Sequence, residues 1–176
     1  HANTAIGILD RLRDIGVEDY KLCDPTVVTG LIGQRLLKVL CPDCKEDMKT
    51  SLAAGRMDGP RARRTEETLA AIGHGGHTVW CRGPGCDACG NTGYRGRTAA
   101  SEIIQPDDAF MDLIRRQEKT AARHYWLREL GGVTMLMHAL HKLLDGQVGP
   151  SEIEAAVDLV HADEDVCNHF HTYERG

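Results

Sequence analysis

Aromatic side chains are scarce. Phe, Tyr and Trp make up 5% of the 176 residues, so any core has to be aliphatic. No run of 18 apolar residues occurs, so no segment is predicted to cross a bilayer as a helix. Base is not in excess either. The chain has 21 Lys and Arg against 26 Asp and Glu, a formal net charge of −5, which argues against nucleic acid as the main partner. No signal-peptide pattern opens the chain, and His1 is not an initiator. A Gly-Lys pair occurs nowhere, which excludes a Gly-x-x-x-x-Gly-Lys-Ser/Thr phosphate loop within these residues. The length leaves room for one domain or two small ones.

Cysteine, by contrast, is plentiful and patterned. Four of the 7 cysteines form two knuckles, Cys41-Pro42-Asp43-Cys44 and Cys86-Asp87-Ala88-Cys89. Each knuckle can place two thiolates on one side of a tight turn, and together they offer the four sulfurs of a closed tetrahedral zinc site. Pro42 stiffens the first turn, and Gly90 and Gly93 let the backbone close around the second. Cysteines without metal, reduced or disulfide-bonded, and an iron–sulfur centre are the competing readings. The spacer Lys45–Gly85 is 41 residues long. Closing such a loop costs about 3 kcal/mol, against roughly 10–16 kcal/mol for structural zinc in peptides. The long spacer is therefore no obstacle. Cys23, Cys81 and Cys167 remain, an odd set that suits a reducing compartment and metal better than a disulfide framework. His74, His77 and Cys81 are possible stand-in ligands, ranked below Cys86. His138 with His141, and Cys167 with His169 and His171, read as surface or packing groups rather than metal sites.

Local signals predict a helix over Thr4–Ile15, capped by Asn3 or Thr4, with Ile8, Leu12 and Ile15 facing a core. Asp24-Pro25 predicts a second helix running to about Gly33. Gln34–Leu40 and Arg97–Ile104 read as strands, expected to pair antiparallel with the zinc module inserted at the hairpin tip. Within the spacer, Thr65–Ile72 could form a short helix, and Arg61, Arg63 and Arg64 read as a solvated face. Beyond Pro106 four helices are expected: from Asp107 to Arg116, Thr120–Leu130, Thr134–Leu144 and one opened by Pro150-Ser151-Glu152. The last carries Ile153, Ala156, Val157 and Val160 as its buried stripe, and Asp163-Glu164-Asp165 reads as a solvated end.

The second knuckle continues as Gly90-Asn91-Thr92-Gly93-Tyr94-Arg95-Gly96-Arg97. With its cysteines this resembles the zinc-binding segment of the type II secretion and type IV pilus assembly ATPases. His1-Ala2-Asn3 is similar to that family's His box, Arg11–Gly16 to its next helix, and Gln34–Cys44 to its approach to the first knuckle. The resemblance runs in order from His1 to about Val160, and is poor in the spacer and over Gln117–Gly131.

The resemblance implies an α/β fold. Residues 1–40 and 94–105 would end a RecA-like ATPase core, 41–93 would be the inserted tetracysteine zinc module, and 106–176 a C-terminal helical bundle. It implies that the chain is the C-terminal part of a longer ATPase, with Cys41, Cys44, Cys86 and Cys89 holding structural zinc. His1 would sit near the γ-phosphate as the catalytic candidate, coupling nucleotide state to shape. ATP and Mg2+ would be bound by the full-length protein, a cytoplasmic homo-hexamer peripheral to the inner membrane that acts on a platform protein there; no nucleic acid is expected. The family's phosphate loop, acidic magnesium box and N-terminal partner-binding region are missing from these residues. The alternative is a stand-alone zinc-knuckle module that binds protein or nucleic acid. Co-chaperone zinc repeats also follow Cys-x-x-Cys with glycines, but they repeat it several times, whereas here one extended pair has ATPase-like flanks.

Overall fold

In the computed structural model, residues 3–171 are described. In chain order the elements are α1 (Ala5–Asp14), α2 (Asp19–Leu22), β1 (Leu31–Leu40), β2 (Glu46–Asp47), α3 (Met48–Ala53), α4 (Gly59–Ala71), β3 (Trp80–Cys81), a 3-10 turn (Asp87–Cys89), β4 (Tyr94–Ile104), α5 (Asp108–Arg115), α6 (Lys119–Arg128), α7 (Met135–Leu144), α8 (Pro150–Ala156) and α9 (Glu164–His169). This is a mixture of helices and short sheets: β1 pairs with β4, and β2 with β3. The long pair is antiparallel. The Cys41 N–H donates to Gly93 O at one end, 3.0 Å, while Gly30 lies against Ile104 O at the other.

The chain divides into two compact units. One takes the residues up to Gln34 with Ser101–Thr134, and the other takes Arg35–Ala100 with Met135–Phe170. Helices α5 and α6 therefore belong to the first unit and α7–α9 to the second.

In the first unit, Thr4 caps α1 by accepting the Gly7 N–H at 3.1 Å. Its buried face is Ala5 and Leu9, one helical turn apart, and Ile15 is 65% exposed instead of packed. The expected helix from Asp24 is not formed. The Asp24 carboxylate accepts both the Thr26 N–H and the Thr26 hydroxyl, a local turn that competes with helix. The β-branched Thr26-Val27-Val28 run that follows also disfavours it. Strand β1 begins at Leu31, earlier than expected. Arg13 donates to Ile114 O at 3.3 Å and Arg115 to Cys23 O at 3.0 Å, reciprocal ties from α1 to α5 and from α5 to the end of α2. Trp126 is 2% exposed and donates its indole N–H to Ile103 O at 3.1 Å.

In the second unit the spacer is folded. Asp58 caps α4 through the Arg61 N–H at 2.8 Å and Pro60 lies in its first turn, so the helix starts earlier than its apolar residues suggest. Its buried face is Ala62, Thr65, Thr68 and Leu69, with the threonine hydroxyls turned back onto Arg61 O and Arg64 O. Arg61 and Arg64 are not merely solvated: both pair with Glu154 of α8, at 2.6 and 2.8 Å. Lys45 donates to Gly146 O at 2.8 Å, the Tyr94 hydroxyl to Glu152 at 2.6 Å, and Leu40 N–H to Gln147 O at 2.8 Å. The spacer therefore packs with α7 and α8, where the sequence suggested a module inserted at the hairpin tip. Helix α8 stops at Ala156. A further helix, α9, follows where a solvated end was expected, capped by Asp163 through Val166 N–H at 2.8 Å.

Candidate metal centre

Cys41 sits at the end of β1, where its N–H is tied to Gly93 O. The Lys45 N–H folds back to Cys41 O at 2.9 Å and completes the first knuckle. The second knuckle is the 3-10 turn. Cys89 and Asn91 both donate to Cys86 O, at 3.1 and 2.9 Å, and Gly90 takes the left-handed conformation, φ 57°, that ends the turn. Gly83 closes the wall. A Cβ there would lie 1.6 Å from Cys44 O, so no other residue fits.

The four sulfurs converge. Cys41–Cys86 and Cys86–Cys89 are 3.8 Å apart and Cys44–Cys89 3.9 Å, and all four lie within 4.8 Å of one another. Disulfide sulfurs would be about 2.05 Å apart. Four thiolates around tetrahedral zinc, with Zn–S of about 2.3 Å, stand about 3.8 Å from one another. The donor set and its spacing fit zinc. Cys41 is buried and the other three are partly exposed, as in a site at the edge of a core.

The environment supports thiolate where it touches backbone donors. Burial pushes the Cys44 thiol up to about 12 and raises Cys86 as well. Burial acts the same way on Cys89. There it is outweighed by the N–H groups of Cys86 and Gly93, at 3.3 and 3.2 Å from the sulfur, which bring Cys89 down to about 6.

The remaining candidates lie elsewhere. Cys81 is in β3 opposite Glu46, 3% exposed, with burial and the nearby carboxylates of Glu152, Glu46 and Asp47 raising its thiol to about 12. Cys23 is buried beside Arg13 and Cys167 is exposed. His77 contacts Leu144 O at 2.9 Å, while His74 and His141 pack against Phe170, His141 stacked at 4.2 Å. Among the described residues these histidines join no metal-like cluster, and neither do His138 and His169. His171 does not join one either. His1 lies outside the described residues. Sequence reasoning did not find Gly83 or the Arg61–Glu154–Arg64 arrangement. Neither carries a motif, and both depend on partners distant in the chain.

A family model described as "Type II/IV secretion system protein" matches residues 1–155, through both knuckles and the strands that flank them. The chain belongs to the type II/IV secretion system protein family. It is 33% identical over 126 residues to the type II secretion system ATPase E of Vibrio cholerae, covering 70% of this chain and 22% of that protein. Against the type II secretion system protein E of Aeromonas hydrophila the identity is 32%, covering 87% and 28%. Against the type IV pilus assembly ATPase PilB of Thermus thermophilus it is 30%, covering 88% and 16%. The chain thus spans less than a third of the length of these secretion and pilus relatives. Among its described residues no helix is long and apolar enough to cross a membrane.

Proposed function

We propose that this chain is the zinc-bearing, C-terminal part of an ATPase that powers type II secretion or type IV pilus assembly. The observation that carries this is the family match, which spans the clustered cysteines and is shared with relatives named as ATPases. In this reading β1 and β4 end a RecA-like core, and the helices after Pro106 belong to a C-terminal helical subdomain. Zinc held by Cys41, Cys44, Cys86 and Cys89 is structural: with four sulfurs no position is open for substrate. His1 reports on the γ-phosphate. ATP and Mg2+ are bound by residues outside this chain, because phosphoryl transfer needs a phosphate cradle and metal-holding carboxylates. The working form is a homo-hexamer in the cytoplasm, peripheral to the inner membrane, acting on a platform protein there.

The test is ATP hydrolysis by the longer protein that contains this chain. Turnover that disappears when its phosphate-loop lysine is replaced supports the proposal. A longer protein with no phosphate loop and no turnover would leave the stand-alone zinc module as the better reading.

A further inference from the structure

In the second unit Tyr94 carries two cations. The Lys38 ammonium lies 5.0 Å from the centre of its ring and the Arg82 guanidinium 5.2 Å, both within cation–π reach. The two charges are therefore separated by no more than the sum of those distances, close to one Debye length at about 0.1 M salt. At that range like charges still repel.

The ring and the guanidinium are fixed in place. The Tyr94 hydroxyl donates to Glu152 at 2.6 Å, and that buried carboxylate also accepts the Gly149 N–H at 3.1 Å. Arg82 donates its Nε–H to Thr92 O at 2.9 Å. Its stem is pressed against Gly93, where a Cβ would stand 2.8 Å from Arg82 Cγ. Groups held this way before a partner arrives lower the ordering cost of binding.

Counter-charge is missing. Arg56, Arg61 and Arg64 of the same unit are ion-paired. Among the described residues Lys38 and Arg82 are not, although both are exposed. Glu152 sits on the hydroxyl of the ring and pairs with neither. Two fixed, exposed cations side by side in a chain of net charge −5 suit an anionic partner. The knuckle acids narrow its kind. Asp43 of the first knuckle lies 3.7 Å from Arg95, and Asp87 of the second is exposed. A broad sheet of negative charge, such as a bilayer or a duplex, would meet these carboxylates too and be repelled. A short acidic segment need cover only the ring and its two cations.

We propose that Lys38, Tyr94 and Arg82 form a docking platform for an acidic peptide segment of a partner protein, whose carboxylates bridge the ammonium and the guanidinium. This goes beyond the proposed function and stands whether or not the longer protein hydrolyses ATP.

The probe is a pentapeptide of alternating Glu and Asp, capped at both ends and titrated calorimetrically into the longer protein that contains this chain. Its affinity should fall about fivefold in Lys38→Glu and likewise in Arg82→Glu, the scale of an exposed ion pair. It should fall with added salt as well. Tyr94→Leu removes no charge and should still weaken binding, because the cations lose their seat. Arg63→Glu makes the same charge change at an exposed arginine of α4 and should leave binding as it was. Where a variant at Arg82 or Tyr94 loses its zinc or its melting transition, Lys38→Glu decides alone. Unchanged binding in Lys38→Glu, an equal loss in Arg63→Glu, or no binding by the unaltered protein would overturn the proposal. So would tighter, Lys38-dependent attachment to phosphatidylglycerol vesicles or to a single-stranded oligonucleotide, which would give the platform to a membrane or to nucleic acid.

Discussion

At Cys86 two demands meet: its sulfur stands 3.8 Å from both Cys41 and Cys89, and its carbonyl organises the second knuckle. Replacing it with Ser keeps the turn but removes one sulfur ligand. Elemental mass spectrometry should find one zinc per molecule in the unaltered chain and none in Cys86→Ser. Full zinc in the variant would remove Cys86 from the site. Glu154 offers a pH-dependent test of the packing behind the knuckles. Its side chain is 6% exposed, and burial alone would raise its carboxyl, but Arg64 and Arg61 outweigh this and hold it below the ordinary 4.5. A depressed carboxyl contributes stability that is present above 4.5 and is lost as pH falls through its lower folded value. Glu154→Gln should cost about 1.5–3 kcal/mol at pH 7, typical of hydrogen bonds to charged groups. In urea titrations the gap between the two proteins should close as the solution is acidified below that range. A gap that persists unchanged in acid would show that packing, and not charge, holds the site.

Helices and strands show where sequence pattern suffices. The cysteine pairs, the hairpin strands and α5–α7 were legible, because knuckle spacing, β-branched residues and capping aspartates such as Asp107 act locally. The early start of α4 was hidden, since its inner face uses Ala62, Thr65 and Thr68 where apolar periodicity looks for larger side chains. Helix α9 was hidden too. Asp163-Glu164-Asp165 reads as a solvated run until Val166 and Phe170 are seen buried beneath it. The integration of the spacer was not legible at all, because it depends on pairs such as Arg61–Glu154 and Lys45–Gly146 that lie far apart in the chain. This changes what a deletion should do. Replacing Cys44–Cys89 by an Asn-Gly turn removes Met48, Met57, Leu69, Ile72 and Val79 from the core of the second unit. It also strips Glu154 of Arg61 and Arg64, and Tyr94, the partner of Glu152, loses its neighbour Arg82. Buried large-to-small changes cost about 2–5 kcal/mol each, and domains hold only about 5–15 kcal/mol in all. The product should show no cooperative melt of α7 and α8. A sharp transition near that of the parent would show that the inserted segment is not part of this core.

The whole molecule is a family member that matches 16–28% of the length of its Thermus thermophilus and Aeromonas hydrophila relatives. Its 176 residues contain no Gly-Lys pair, so no backbone cradle with a lysine is available for a β,γ-phosphate. Catalysis of phosphoryl transfer is almost wholly positioning and charge neutralisation, and without cradle and magnesium carboxylates neither is supplied. The purified chain should release no phosphate from Mg-ATP above the buffer background. Binding is the sharper measurement, because it does not need the chemistry to work. A ligand present at a hundred times its Kd stabilises a protein by about 2.7 kcal/mol, a shift of several degrees in a domain of this size. Millimolar Mg-ATP should leave the melting temperature of this chain unchanged, while chelation of its zinc should lower it. A rise in melting temperature with ATP, surviving the His1→Ala substitution, would reveal a nucleotide site inside these residues and refute the assignment of ATP binding to the rest of the longer protein.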